Sequence, residues 1–99
     1  MKTFTLTLAA KTDLKEIALF TQRRWGIAQR NIYLKQFDAA FWLLAKSPEI
    51  GKSCDEIRHH YRKFPQGSHV IFYQQSGSHS IRIIRILHKG MDVNPILGV

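Results

Sequence analysis

From Thr3 to Leu8 apolar and polar side chains alternate strictly, with Phe4, Leu6 and Leu8 on one side and three threonines on the other. A two-residue period with one polar face predicts a strand near a sheet edge. At Ala10 the period changes. Leu14, Ile17, Ala18, Thr21 and Trp25 follow the spacing of a helix face. Asp13 with Glu16 three residues later resembles a capping box, and a start one turn earlier, around Ala10, is the alternative. Gly26 is the stop. A second helix restarts at once, with Tyr33, Leu34, Phe37, Phe41 and Leu44 on its apolar side as far as Lys46. Two helices joined this tightly form an antiparallel hairpin. Pro48 and Gly51 close the helical half, because proline disfavours helix in the residue before it and glycine invites a turn.

The rest of the chain reads as sheet. Tyr61 to Phe64 is a short strand, Pro65-Gln66-Gly67 a turn and His69 to Tyr73 a second strand. Ser76-Gly77-Ser78 turns the chain into the longest strand, Ser80 to Leu87. The fold class is α+β: an N-terminal strand, an antiparallel two-helix hairpin, then a three-stranded antiparallel meander in one small sheet. The last two strands are apolar at both parities, so both of their faces need cover. The hairpin covers one. The other falls either to the apolar tail from Met91 to Val99, with Val93, Pro95, Ile96, Leu97 and Val99, or to a partner protein. Arg85 shares parity with Ile81, Ile83 and Leu87. It therefore meets an internal acid such as Asp55 or Glu56, waits for a partner's carboxylate, or is turned outward by a bulge.

Ninety-nine residues suit a single domain, residues 1–99, and 44% hydrophobic against 22% charged residues excludes a disordered chain. Fifteen Lys and Arg against seven Asp and Glu leave a formal charge of +8, which implies an acidic partner. The excess is uneven: from Ile57 onward there are six basic residues and one acid, and all five histidines lie there. That half would read phosphates, receive an acidic peptide, or serve only as a solvated basic face. No apolar run approaches the ~20 residues that span a bilayer, and MKTFTLTLAA lacks the apolar stretch of a signal peptide, so a cytoplasmic protein is expected.

Catalytic sets are sparse. Cys54 cannot form an internal disulfide, and the neighbouring Asp55 and Glu56 disfavour a thiolate, so it reads as a small buried hydrophobe. The histidines lack the spacing and cysteine partners of zinc sites, and neither a metal nor a cofactor is expected. No nucleophile elbow or Gly-rich phosphate loop occurs. His88, near Arg82 and Arg85, is the one group placed for acid–base chemistry on a phosphodiester, although a histidine at a strand end is more often structural.

The ordered series Asp13-Leu14-x-x-Ile17, Trp25-Gly26, Tyr33-Leu34, Leu44-Ala45-x-x-Pro48-x-x-Gly51, Asp55-x-Ile57, Tyr61-Arg62, His69 to Tyr73, and Ile84-x-Ile86-Leu87-His88 before Met91-Asp92 resembles the ParE toxins of the RelE/ParE superfamily. The resemblance covers nearly the whole chain. It implies a helical hairpin on a small, mostly antiparallel sheet, and the toxic half of a type II toxin–antitoxin module, held in check by an antitoxin that wraps it. It also implies inhibition of DNA gyrase without an enzymatic activity, and no cofactor. RelE relatives instead cleave messenger RNA on the ribosome, and for that alternative His88, Arg62, Arg82 and Arg85 are the catalytic candidates. Lys89-Gly90 stands where those enzymes often carry an aromatic, and His69-Val70 where an arginine is usual, which weakens the ribonuclease reading. A plain nucleic-acid-binding module is a third class, disfavoured by the lack of interleaved exposed aromatics on the strands. The residues expected to bind antitoxin or target are Arg58, Arg62, Lys63, Arg82, Arg85, His88 and Met91, with Arg82 and Arg85 desolvated in the contact and Lys46 and Lys52 nearly neutral.

Overall fold

The structure, a computed structural model, describes residues 2–97. Its first strand, β1 (Thr3–Leu6), leads through Thr7 into helix α1 (Leu8–Trp25). Thr7 is the cap: its side chain accepts from the Ala10 N–H at 3.0 Å and its hydroxyl donates to the Ile84 carbonyl at 2.7 Å. Asp13 is therefore a mid-helix residue and no capping box forms. Leu8, expected on the strand's dry face, opens the helix and is 82% exposed. Gly26 alone separates α1 from α2 (Ile27–Lys46). A side chain would meet nothing there, but its φ of 94° lies where a Cβ is strained, so backbone conformation selects the glycine.

A single 3₁₀ turn, Pro48–Ile50, precedes a two-residue strand, β2 (Lys52–Ser53), which the pattern did not announce. Then come β3 (Arg62–Gln66), β4 (His69–Gln75) and β5 (Ser80–His88), followed by the short helix α3 (Asn94–Leu97). Pro65 and Gln66 belong to β3, and the turn into β4 is made by Gly67 and Ser68. The sheet has the order β1-β5-β4-β3-β2, so β1 is an edge strand as expected. It runs parallel to β5, whereas the other pairings are antiparallel, which makes the sheet mixed.

Two apolar clusters sandwich this sheet. The larger joins Ala10 and Ile17 of α1 to Phe37, Phe41 and Leu44 of α2 and to Ile71, Tyr73, Ile81, Ile83 and Ile86 of the strands. The second lies on the opposite face, where Cys54, Phe72, Leu87 and Leu97 are buried with Ile57, Tyr61, Val70, Ile84, Val93 and Ile96 packed around them. The second face is thus covered from within the chain, by the tail and by the segment between β2 and β3. Val99 lies outside the described residues. Cys54 is fully buried, and burial, then the Glu56 carboxylate, pushes its thiol pKa up, which leaves it inert.

A register shift between Phe72 and Tyr73 leaves Ile84 as the extra residue on β5. It explains how one strand serves both clusters: Ile81, Ile83 and Ile86 face the helices, and Ile84 and Leu87 the tail. β1 pairs with β5 only as far as Ile83. Beyond that point Asp13 takes over the edge. Arg85 Nε donates to Asp13 Oδ2 at 2.7 Å, Arg85 Nη2 to Oδ1 at 2.8 Å, and the Ile86 N–H to Oδ2 at 3.0 Å. The acid that satisfies Arg85 is therefore Asp13, and not Asp55 or Glu56. The bidentate bond to Asp13 holds the guanidinium pKa above its usual value.

At the other end of α2, the Tyr73 hydroxyl accepts from the Gly51 N–H at 2.9 Å and donates to the Pro48 carbonyl at 2.6 Å. Any Cβ on Gly51 would overlap that hydroxyl, so close approach is the reason for glycine here.

Two outcomes follow. Asp13→Ala leaves a guanidinium and a backbone N–H without their acceptor. Because the Arg85 side chain is 27% exposed, the loss belongs at the lower end of the range for broken buried pairs, about 2–3 kcal/mol. Urea unfolding measures it, and Asp13→Leu with Arg85→Leu should recover part of the loss. Tyr73→Phe should cost about 1–3 kcal/mol by the same measurement, because it strands the buried Gly51 N–H and removes the donor of the half-buried Pro48 carbonyl.

Candidate functional site

The ladder of β4 and β5 carries a cleft at each end, and the two share no lining residue. The first, about 500 Å³, is polar and sits where β4 ends and β5 begins, bounded by Lys2, Glu49, Asp55, Arg62, Gln75 and His79. Arg62 is held there by the Gly51 carbonyl, 2.7 Å from Nη1, and Lys2 by the Lys46 carbonyl at 3.0 Å. Its acids and bases balance, so it has no strong preference for an anion.

The second cleft, about 700 Å³, is an apolar groove between the later turns of α1 and the far end of β5. Phe20 and Trp25 form one wall and stand 64% and 65% exposed; Met91, 45% exposed, stands on the other side. Ile17, Thr21, Gln29 and Tyr33 line the helical side, and Arg85, Ile86, Leu87 and His88 the strand side. Trp25 was expected on the buried face of α1, but the stripe that is buried is Ala10, Asp13, Ile17 and Thr21. Trp25 follows Thr21 by one turn but is the last residue of α1 and stays exposed, with the Arg24 guanidinium 5.6 Å from its ring centroid. Two large aromatics left in water beside a concavity are costly unless something covers them, which is the physical signature of a docking surface.

Polar groups at the groove are tightly arranged. His69 and His88 are cross-strand partners on β4 and β5, with ring centroids 5.5 Å apart at 87°. His69 Nδ1 lies 2.7 Å from the Tyr33 hydroxyl, which also accepts from the Ser68 N–H at 3.1 Å. Burial, then the neighbouring His88, lowers the His69 pKa, and Asp13 opposes them. Burial likewise raises that of Tyr33.

Of the residues singled out from sequence, the groove unites Arg85, His88 and Met91. The others lie elsewhere. Arg62 belongs to the polar cleft. Arg82 is exposed and pairs in register with Thr5 and Gln74. Lys63 faces Lys52 across β2 and β3, and Arg58 reaches the Leu97 carbonyl at 3.5 Å. The ribonuclease set is therefore not assembled. Arg62 stands opposite Tyr73, and so at the level of Ile83, five residues before His88, or roughly 16 Å along the strand. One phosphodiester cannot touch both. Among the described residues no three His, Cys, Asp or Glu side chains converge as a metal site would need, and no helix is long and apolar enough to cross a membrane.

Sequence reasoning did not single out Phe20, Trp25, Tyr33 or His69 as site residues. A signal for the first existed, since Phe20 is a large aromatic outside the helix stripe.

Known proteins agree on the kind of molecule this is. Residues 4–93 match the family described as ParE toxin of type II toxin–antitoxin system, parDE. The chain is 43% identical over 91 residues to Toxin ParE1 of Mycobacterium tuberculosis, covering 92% of this chain and 93% of that protein. It is 35% identical over 98 residues to Toxin ParE1 of Caulobacter vibrioides, covering 99% and 100%. Among solved structures, a chain of the chromosomal ParDE system from P. aeruginosa superposes with a TM-score of 0.74 at 17% identity, over 89% of this chain and 96% of that one, which shows the shared fold. With nearly its whole length matched by the family and by relatives this similar, the chain belongs to the ParE toxin family of type II toxin–antitoxin systems.

Proposed function

We propose that this protein is a growth-inhibiting toxin that acts by binding an essential protein of the bacterial cell, DNA gyrase, and that its antitoxin silences it by occupying the groove between α1 and the end of β5. The observation that carries the antitoxin contact is the exposed pair Phe20 and Trp25 facing Met91 across that groove. An apolar segment seated there gains the burial that the free toxin forgoes, about 25 cal/mol for each Å² of apolar surface covered. The gyrase target is carried by family membership. A stoichiometric mode of action, without catalysis, is supported by the distance between His88 and Arg62, because the acid–base and phosphate-binding groups expected of a nuclease do not meet at one point.

Both clusters of the core are complete within the chain, so the antitoxin adds to a finished fold. Its acidic residues meet the basic rim. Arg85 has already committed its Nε and Nη2 donors to Asp13, so its part is to shape the groove; Arg82, exposed on the same strand but outside the groove, meets a carboxylate of an antitoxin segment that continues along β5. Arg58, Arg62 and Lys63 steer the approach from farther off.

Induced expression without antitoxin should arrest growth, and the purified protein should inhibit supercoiling by gyrase or trap its cleaved DNA complex. Discrete cuts in translated messages, lost in His88→Ala, are the result that would replace this reading with the ribonuclease one. For the groove, Trp25→Ala and Phe20→Ala should each weaken antitoxin binding by about 2 kcal/mol or more, the scale of buried aromatic anchors, while Lys52→Ala stays within about 0.5 kcal/mol. Calorimetric titration of antitoxin into each variant checks the ranking, and equal small losses across the series would place the antitoxin elsewhere.

A further inference from the structure

His69 and His88 face each other at the strand side of the groove, and each uses its Nδ1 on a neighbour. His88 Nδ1 accepts from the Gly90 N–H at 3.2 Å, a bond that exists only while that nitrogen carries no proton. The same turn carries Met91, whose N–H donates to the His88 carbonyl at 3.1 Å. The state of His88 is thereby tied to the wall of the groove. His69 has a different arrangement. The Tyr33 hydroxyl donates to the Gln66 carbonyl at 3.1 Å and lies 2.7 Å from His69 Nδ1. With its proton on Gln66 the hydroxyl oxygen can accept from a protonated His69 Nδ1, and with Nδ1 bare it can give its proton to the ring instead. Both protonation states of His69 are thus compatible with the folded turn.

We propose that the His69–His88 pair makes occupation of the groove pH-dependent, with the antitoxin bound when both imidazoles are neutral and released as they take up protons. This rests on the groove being the antitoxin's seat. The physical reason is desolvation: an apolar segment on Phe20, Trp25 and Met91 removes water from the pair, and two imidazolium rings 5.5 Å apart repel in a medium of lower dielectric. The surrounding charges do not reverse this. From α1, Asp13 favours the protonated form but is committed to Arg85 and the Ile86 N–H, and Glu16 is exposed at the rim. From α2 the facing group is the neutral Tyr33, and from the strand and the turn after it Arg85 and Lys89 add positive charge. The lowered pKa of His69 in the free protein already shows the direction of the effect. A group whose pKa falls on binding favours the complex above its free value, and that preference is lost as the pH drops through it.

Titration of the cognate antitoxin into the full-length toxin by calorimetry at about pH 7.5 and about pH 5.5 tests this, with near-UV circular dichroism verifying that both proteins stay folded. Kd should rise severalfold at the lower pH, and binding in two buffers of different ionisation enthalpy should show net proton release. His88→Gln and His69→Gln, which keep an amide at each position, should each reduce the ratio of Kd at about pH 5.5 to Kd at about pH 7.5 relative to the unmodified toxin, whatever their affinity at the higher pH. Tight binding that ignores pH, proton uptake, or an unchanged pH dependence in the His69→Gln, His88→Gln double variant would overturn the switch and leave the groove assignment standing. Failure to bind at either pH would remove the groove assignment, and the switch with it.

Discussion

One carboxylate organises this molecule. Asp13 sits on the buried stripe of α1 and takes three hydrogen bonds, two from the Arg85 guanidinium and one from the Ile86 N–H. Those bonds do what a longer first strand would otherwise have done. β1 is only four residues long, and the edge of β5 beyond Ile83 would present backbone groups with no partner. Thr7 and Asp13 supply them, one from the cap and one from the second turn of the helix. The Asp13 contact thereby ties α1 directly to β5, beside the apolar packing of Ala10 and Ile17.

Several features at a distance depend on this docking. With Ala10, Asp13, Ile17 and Thr21 turned inward, Phe20 on the flank of that stripe and Trp25 at the last residue of α1 stay largely in water. The groove is what remains between them and the end of β5. The extra residue at Ile84 lets the strand change which side chains it gives to each face, so that Ile86 joins the helical cluster and Leu87 the cluster under the tail. Arg85 emerges between these two layers and is drawn to Asp13. The ion pair, the bulge and the groove are consequences of one local geometry.

The two faces of the sheet also divide the labour. The tail and the segment around Cys54 close the second face, so that side of the molecule needs no partner for its stability. The helical side is closed over the sheet but open at its rim, where Phe20 and Trp25 stay exposed. A toxin held in check by an antitoxin has use for this division: a core complete without the partner keeps the free toxin folded, and exposed aromatics supply binding free energy that is spent only in the complex.

Much of the architecture was legible in the order of residues. The change from a period of two to one of 3.6 near Ala10, the break at Gly26, the closure at Pro48 and Gly51 and the two-faced strands after His69 are local signals, and the hairpin and meander follow from them. The short antiparallel β2 was not legible, because two residues carry no period. The groove was legible only in part. Of its lining, Arg85 and His88 were named from charge and position and Met91 from the family resemblance, yet Arg62 and Arg82, equally basic and close in sequence, lie away from it, because alternation along a strand and distance along a ladder separate what charge composition groups together. Asp13 was read as a helix cap, since its neighbours in sequence suit one; its real partners are more than seventy residues away. Sequence by itself determined the elements, their order and the surplus of positive charge. Tertiary structure alone decided which acid meets Arg85 and which aromatics stay in water, because both depend on the rotation of α1 about its axis, and that rotation is set by contacts with a strand at the other end of the chain.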